Sequence, residues 1–212
     1  MLTVLIDYGA GNLHSAEKAF QRMARETDAG EVLVSGRAED VARADRIVLP
    51  GDGAFPACME ALKADRALFE ALIEGVERAA KPFLGICVGM QLMARKGFEY
   101  QEVDGLGWID GEVRRIEPSD PASKVPHMGW NDLVVERPHP VLDGISTGDH
   151  AYFVHSYQMV MGDPSQRLAH CDYGGEVTAI VGRDNMVGTQ FHPEKSQSAG
   201  LRLIANWLNW RP

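Results

Sequence analysis

The chain is poor in the features that would suit it to a disulfide scaffold, a polyanion or a bilayer. It has only three cysteines, Cys58, Cys87 and Cys171, far apart, with no CxxC pair and no paired histidine spacing. That pattern excludes a disulfide framework and a zinc site, and an odd count leaves at least one thiol free. Cys58 and Cys171 are expected as small buried apolar residues. Positive charge is scarce too: 21 Lys and Arg face 30 Asp and Glu, a formal charge of -9, and no five like charges occur in a row. Without a cationic surplus there is no counterion release, so neither nucleic acid nor an anionic membrane is an expected partner. The longest mainly apolar stretch, Pro82 to Ala94, is too short to span a bilayer and is broken by Gly85, Gly89 and Gln91. The first residues reach Asp7 with no basic flank before them, unlike a secretory signal, and the expected location is the cytoplasm.

What is present suits an ordinary globular unit. The 212 residues are 45% hydrophobic, with no repeat, low-complexity tract or Pro/Gly/Ser linker, which points to one domain over 1–212. In the first half, short apolar runs alternate with helical patterns. Leu2 to Asp7, Glu31 to Ser35, Arg46 to Leu49 and Lys81 to Ile86 read as strands, the third stopped by Pro50 and Gly51. Between them, Leu13, Ala16, Ala19, Phe20 and Met23 share a helix face behind Asn12 as N-cap, and Leu68, Leu72, Ile73 and Val76 share another. Val88 to Arg95 reads as a further helix. From Gly111 to Gly188 the runs Gly111 to Ile116, Tyr152 to Val160, Arg167 to Cys171 and Thr178 to Val181 lack helical periods between them and suggest antiparallel strands. A closing helix carries Leu201, Ile204 and Leu208. The expected fold is α/β: a doubly wound, mainly parallel sheet with flanking helices and additional antiparallel strands, its ligand crevice at the carboxyl ends of the strands.

One cysteine stands apart. Cys87 lies at a strand-to-helix junction in GICVGMQ, with Gly85 two positions before it and Gly89 two after. This is the nucleophile-elbow pattern GxSxG with sulfur for oxygen: a sharp turn strains the central residue and crowds its neighbours, so both flanks need glycine. The helix start would favour a thiolate, and the amide of Val88 would face an oxyanion. Taken alone, glycines beside a buried cysteine also arise from packing. A nucleophile needs a base, and among seven histidines His192 is singled out by Pro193 and Glu194 after it. Proline biases His192 toward an extended conformation, so His192 and Glu194, two apart, would point the same way, and the carboxylate would fix the imidazole tautomer. Read alone, HPE is equally a turn that caps the sheet. Together the two segments give a Cys87, His192, Glu194 triad at one sheet edge.

GICVGMQ followed about a hundred residues later by GTQFHPEKS resembles the triad glutamine amidotransferases. IDYGAGNLHS, LPGDGAF, VPHMGWN and YFVHSY, spread over nearly the whole chain, are similar to segments of one branch, the glutaminase subunits of imidazole glycerol phosphate synthases. The resemblance implies that Cys87 attacks the carboxamide carbon of glutamine, with His192 and Glu194 completing the triad. It implies that Val88 and the Gly51, Asp52, Gly53 loop hold the oxyanion, and that Gln91, Ser156 and Tyr157 contact the amino-acid part of glutamine. No cofactor or metal is implied. The implied partner is a cyclase subunit, a (β/α)8 barrel that takes the ammonia in a heterodimer of histidine biosynthesis, docked over Asn12, Trp130, Asn131 and Lys195. By residue type alone Gln91 is equally a helix-surface residue, and a lone tryptophan such as Trp130 is more often core. Asp52 departs from the branch, where the loop often carries an apolar residue, and like charge opposes a developing oxyanion. Two alternatives stay open: a glutaminase of pyridoxal phosphate synthesis, which usually shows a GGES-like loop not found here, or a docking module with weakened catalysis.

Overall fold

A computed structural model describes residues 1–212. The chain runs through β1 (Leu2–Ile6), α1 (Leu13–Glu26), β2 (Glu31–Ser35), α2 (Ala38–Arg43), β3 (Arg46–Gly51), α3 (Phe55–Ala64), α4 (Arg66–Ile73) and β4 (Phe83–Cys87) to a one-turn helix, α5 (Val88–Gln91). There follow β5 (Ala94–Gly97), β6 (Val103–Asp104), β7 (Ile109–Arg115), β8 (His127–Asp132), β9 (Val134–Val135), β10 (His150–His155) and β11 (Tyr157–Met161). The chain closes with β12 (Arg167–Asp172), β13 (Glu176–Arg183), β14 (Met186–Thr189) and α6 (Gln197–Asn209).

Eight strands form the main sheet in the order β2-β1-β3-β4-β14-β13-β12-β9. The ladders from β2 to β14 are parallel, and those from β14 through β9 are antiparallel. β1, β3 and β4 are buried on both faces, as unbroken runs such as Val4-Leu5-Ile6 and Ile47-Val48-Leu49 require in a doubly covered parallel sheet. The crossover from β1 to β2 runs opposite to those from β2 to β3 and β3 to β4. Right-handed connections therefore put α1 on one face and α2 to α4 on the other. α6 joins α1: Trp207 meets Phe20 edge to face at 5.9 Å and donates its indole N–H to the Phe83 carbonyl. The order reverses at β1, so the carboxyl ends of β1, β3 and β4 open onto one crevice. A two-stranded sheet (β10-β8) and a four-stranded sheet (β11-β7-β5-β6) complete the fold.

The departures from the sequence reading have local causes. β3 does not stop at Leu49 but continues through Pro50 to Gly51, which pairs with Cys87. The β1 ladder ends at Val48, so Pro50 has a neighbour on one side only and its missing N–H breaks no ladder bond. The helix expected over Val88 to Arg95 is a single turn. Leu92, Met93 and Ala94 are buried all round rather than on one face, and the chain turns there into β5. The Tyr152 to Val160 run splits at Ser156 into two strands of different sheets. Asn12 occupies the N-cap position of α1 but makes no side-chain capping bond.

Candidate active site

The turn after β4 is built around crowding. Cys87 sits at φ 55° and ψ -113°, a strained conformation for a residue with a Cβ. Its flanks have no room for one: a Cβ on Gly89 would lie 1.9 Å from the Leu49 carbonyl oxygen, and on Gly85 2.6 Å from that of Gly89. The glycines are thus a steric requirement of the turn. Because α5 is one turn long, a helix macrodipole acts only weakly on the sulfur. What the turn does supply is donors, since the first amides of any helix have no intrahelical partner and the N–H of Val88 is one of them.

His192 arrives from the other side, after β14. It is extended (φ -90°, ψ 101°), but Pro193–Lys195 form a 3₁₀ turn, so the extended course expected through Glu194 is corrected. The turn itself folds Glu194 back, and His192 Nδ1 lies 2.9 Å from Glu194 Oε1 with both side chains almost fully buried. Two bonds hold this turn against β10, His192 N to the Tyr152 carbonyl and Tyr152 N to Ser196 Oγ, and Ser196 Oγ closes the turn on the His192 carbonyl. The ring also interacts with Cys87, which favours its protonated form. Burial alone would lower the imidazole, but its interactions with Cys87 and Glu194 outweigh it and push it up to about 10. Glu194 Oε2 is buried without a partner, which leaves the ring as the carboxylate's only hydrogen-bonding partner.

Cys87 opens on a cavity of about 140 Å³. Its lining brings together Asp52, Gly53 and Val88, the segment Val154 to Tyr157, and Gln91 and Glu99. The N–H groups of Asp52 and Gly53 donate to nothing else in the chain, and Gly53 at φ 112° needs glycine's freedom. The Asp52 carbonyl is turned the other way, accepting from Cys58 Sγ at 3.5 Å, while the Asp52 side chain is exposed at the rim. Gln91 is buried, not a surface residue, and its amide donates to the Tyr157 carbonyl and to Gln190 Oε1, both at 3.0 Å.

Of the residues expected at a docking face, Asn12 and Lys195 are exposed and Trp130 is 50% exposed, edge-on to Tyr152, so it is no core residue. Asn131 is half-buried and turned inward, its amide donating to the Asp172 carbonyl. The start of α1, the Pro193–Lys195 turn, β10 and β8 are successive neighbours on this side of the molecule. Cys58 and Cys171 are buried and free.

Three residues escaped the sequence reading. Gln190, fully buried, holds its amide nitrogen 3.8 Å from Cys87 Sγ; standing two before His192, it was accessible to the same alternation argument. Tyr8, from the loop after β1, sits where a Cβ on Gly51 would meet its hydroxyl at 3.0 Å. Glu99 is a buried carboxylate on the cavity wall, anchored by the Phe55 N–H at 2.8 Å, and nothing in its neighbourhood in sequence marks it. No group of three His, Cys, Asp or Glu side chains is placed to hold a metal ion, and no helix is long and apolar enough to cross a membrane.

A cysteine on a strained elbow and a buried His–Glu pair thus stand together at the carboxyl edge of the parallel strands. The family model "Glutamine amidotransferase class-I" matches residues 4–209, and the solved structure of a glutamine amidotransferase shares the fold at a TM-score of 0.72 and 18% identity, covering 99% of each chain. Among curated proteins the chain is 71% identical to the imidazole glycerol phosphate synthase subunit HisH of Cereibacter sphaeroides and 66% identical to that of Ruegeria pomeroyi, each over 212 residues and 100% of both chains. The chain belongs to the class-I glutamine amidotransferases and, within them, to the HisH family.

Proposed function

We propose that the chain is the glutaminase subunit of an imidazole glycerol phosphate synthase and releases ammonia from glutamine through a thioester on Cys87. The observation that carries this reading is Cys87 on a cavity with room for one amino acid, its strained elbow served by a buried His192–Glu194 hydrogen-bonded pair. His192 takes the thiol proton as Cys87 attacks the carboxamide carbon, and the carbonyl oxygen becomes an oxyanion. The amides of Val88 and of Asp52 or Gly53 take that charge, each donor contributing about 3 kcal/mol. His192 then gives its proton to the nitrogen, the C–N bond breaks, and ammonia leaves a glutamyl thioester. Water attacks the thioester, His192 accepts its proton, and glutamate departs with the sulfur restored.

The cavity suits glutamine's other end as well. Glu99 is the buried carboxylate available to an α-ammonium, and the Ser156–Tyr157 backbone lines the same cavity. Ammonia loses its nucleophilicity once protonated in water, which calls for delivery to a second subunit. The reading assigns that role to a cyclase, a (β/α)8 barrel seated over Asn12, Trp130 and Lys195, with Asn131 supporting the strand beneath. The test is glutamate release by the purified chain, alone and with the cyclase subunit and its phosphorylated ligand. Release that rises with that ligand is expected. No release under any of these conditions would overturn the reading; if Asp52→Val then restored it, the chain would be a docking module weakened by that carboxylate.

A further inference from the structure

We propose that His127 and His155 are positioning residues for the glutamine cavity: a one-way hydrogen-bond relay through their rings fixes the Tyr157 carbonyl, and that carbonyl fixes Gln91. The inference rests on the glutamine reading of the cavity. It starts from two imidazoles buried side by side, paired in register across β8 and β10. Burying one polar ring is costly unless its nitrogens are satisfied, and here all four have partners.

The partners leave one assignment of protons. His155 Nδ1 lies 2.8 Å from the Tyr157 carbonyl oxygen, which only accepts, so Nδ1 carries the hydrogen. In a neutral ring Nε2 is then an acceptor, and its neighbour at 3.0 Å, His127 Nδ1, must donate. His127 Nε2 is left to accept, and Asn131 Nδ2 lies 3.2 Å away while giving its other hydrogen to the Asp172 carbonyl. The series therefore runs Asn131 to His127 to His155 to Tyr157, and reversing the ring-to-ring link sets two acceptors face to face at Tyr157 and two donors face to face at Asn131. Burial pushes His127 down to about 4 and His155 to about 3. For His155 that value is the net result: the bond to Tyr157 opposes the burial, and the two neighbouring rings of His127 and His192 add to it. Neither ring has a carboxylate partner. Stacking of His127 on Phe153 at 4.7 Å and on Tyr173 at 4.0 Å holds its plane, so Nδ1 stays aimed.

The end of the relay is functional. The Tyr157 carbonyl takes hydrogen bonds from His155 and from Gln91, and Gln91 in turn bonds Gln190 beside the Cys87 sulfur. Without the His155 donor the Tyr157 carbonyl keeps Gln91 as its one side-chain donor, and the wall that receives the amino-acid end of glutamine loosens. The chemistry at sulfur is untouched, so the effect belongs in KM rather than kcat.

Two measurements on the full chain test this. Long-range proton–nitrogen spectra should find both rings neutral and protonated at Nδ1 from about pH 5.5 to about pH 8; an Nε2–H ring at either position, or titration near 6.5, would overturn the relay. In glutaminase assays with the cyclase present, His155→Leu should raise KM for glutamine about tenfold with kcat within about threefold. His155→Asn, whose amide nitrogen stands in for Nδ1–H, should stay within about threefold of the native KM. Should His155→Leu not fold, His127→Phe keeps the stack but removes the donor, and His127→Asn returns it; the same contrast is expected. Equal KM for the leucine and asparagine variants, or loss in kcat alone, would contradict the proposal. If the native chain releases no glutamate, the glutaminase reading fails instead, and the spectra still decide the relay.

Discussion

Cys87→Ala is expected to slow glutamate release at least about 10⁴-fold while leaving the fold intact, because it removes the nucleophile and little else. Alanine fits the space, and the positive φ of 55° at this position strains cysteine and alanine alike. No other thiol can take over. Cys58 is held protonated by burial, which pushes it up to about 11, and Cys171 is pushed to about 12 by burial and by Asp172. Assay of glutamate release beside a circular dichroism spectrum checks both halves of the expectation. A variant that keeps even a tenth of the native rate would place the nucleophile elsewhere.

The next largest effect is expected at the ring. His192→Ala should cost about 10³- to 10⁴-fold in kcat with a small change in KM, since the ring acts on the departing nitrogen and on water, not on the bound amino acid. Glu194→Gln keeps a hydrogen bond to Nδ1 but removes the charge, and a loss of about 10- to 100-fold is expected. The sign of the pH effect follows from the direction of the shift. His192 is raised from 6.5 to about 10 in the folded chain, so its partners stabilise the fold fully below about pH 6.5 and lose that contribution as pH climbs through about 10. Glu194→Gln removes one of the groups that raise it. The alkaline limb of kcat should therefore move to lower pH, and the melting-temperature gap to the native chain should narrow as pH rises toward 10. An alkaline limb that stays in place would show that Glu194 does not set the proton on His192.

How far these residues could be read before the coordinates depends on how local their signals are. The elbow is local: Gly85, Cys87 and Gly89 lie within five residues, and the clash at Gly89 is with the neighbouring strand that any parallel sheet would supply. The His–Glu pair was also local, although proline bends the segment into a 3₁₀ turn and the two side chains meet by folding back. The parallel half of the sheet was readable because doubly buried strands are continuous apolar runs. The helix expected over Val88 to Arg95 failed for the same reason in reverse, since a run buried on every side carries no period to tell a helix from a turn and a strand. Glu99 and the His127–His155 pair were out of reach. Glu99 gains its meaning from the Phe55 amide 44 residues away, and each histidine from the other, 28 residues off.

The most direct test of a sulfur nucleophile is to ask which thiol a glutamine-shaped electrophile finds. An analogue with a reactive chloromethyl ketone in place of the carboxamide, applied to the chain with its cyclase and read by peptide mass spectrometry, should modify Cys87 alone, with excess glutamine protecting it. Modification of Cys58 or Cys171, or labelling of Cys87 that glutamine does not slow, would contradict the account.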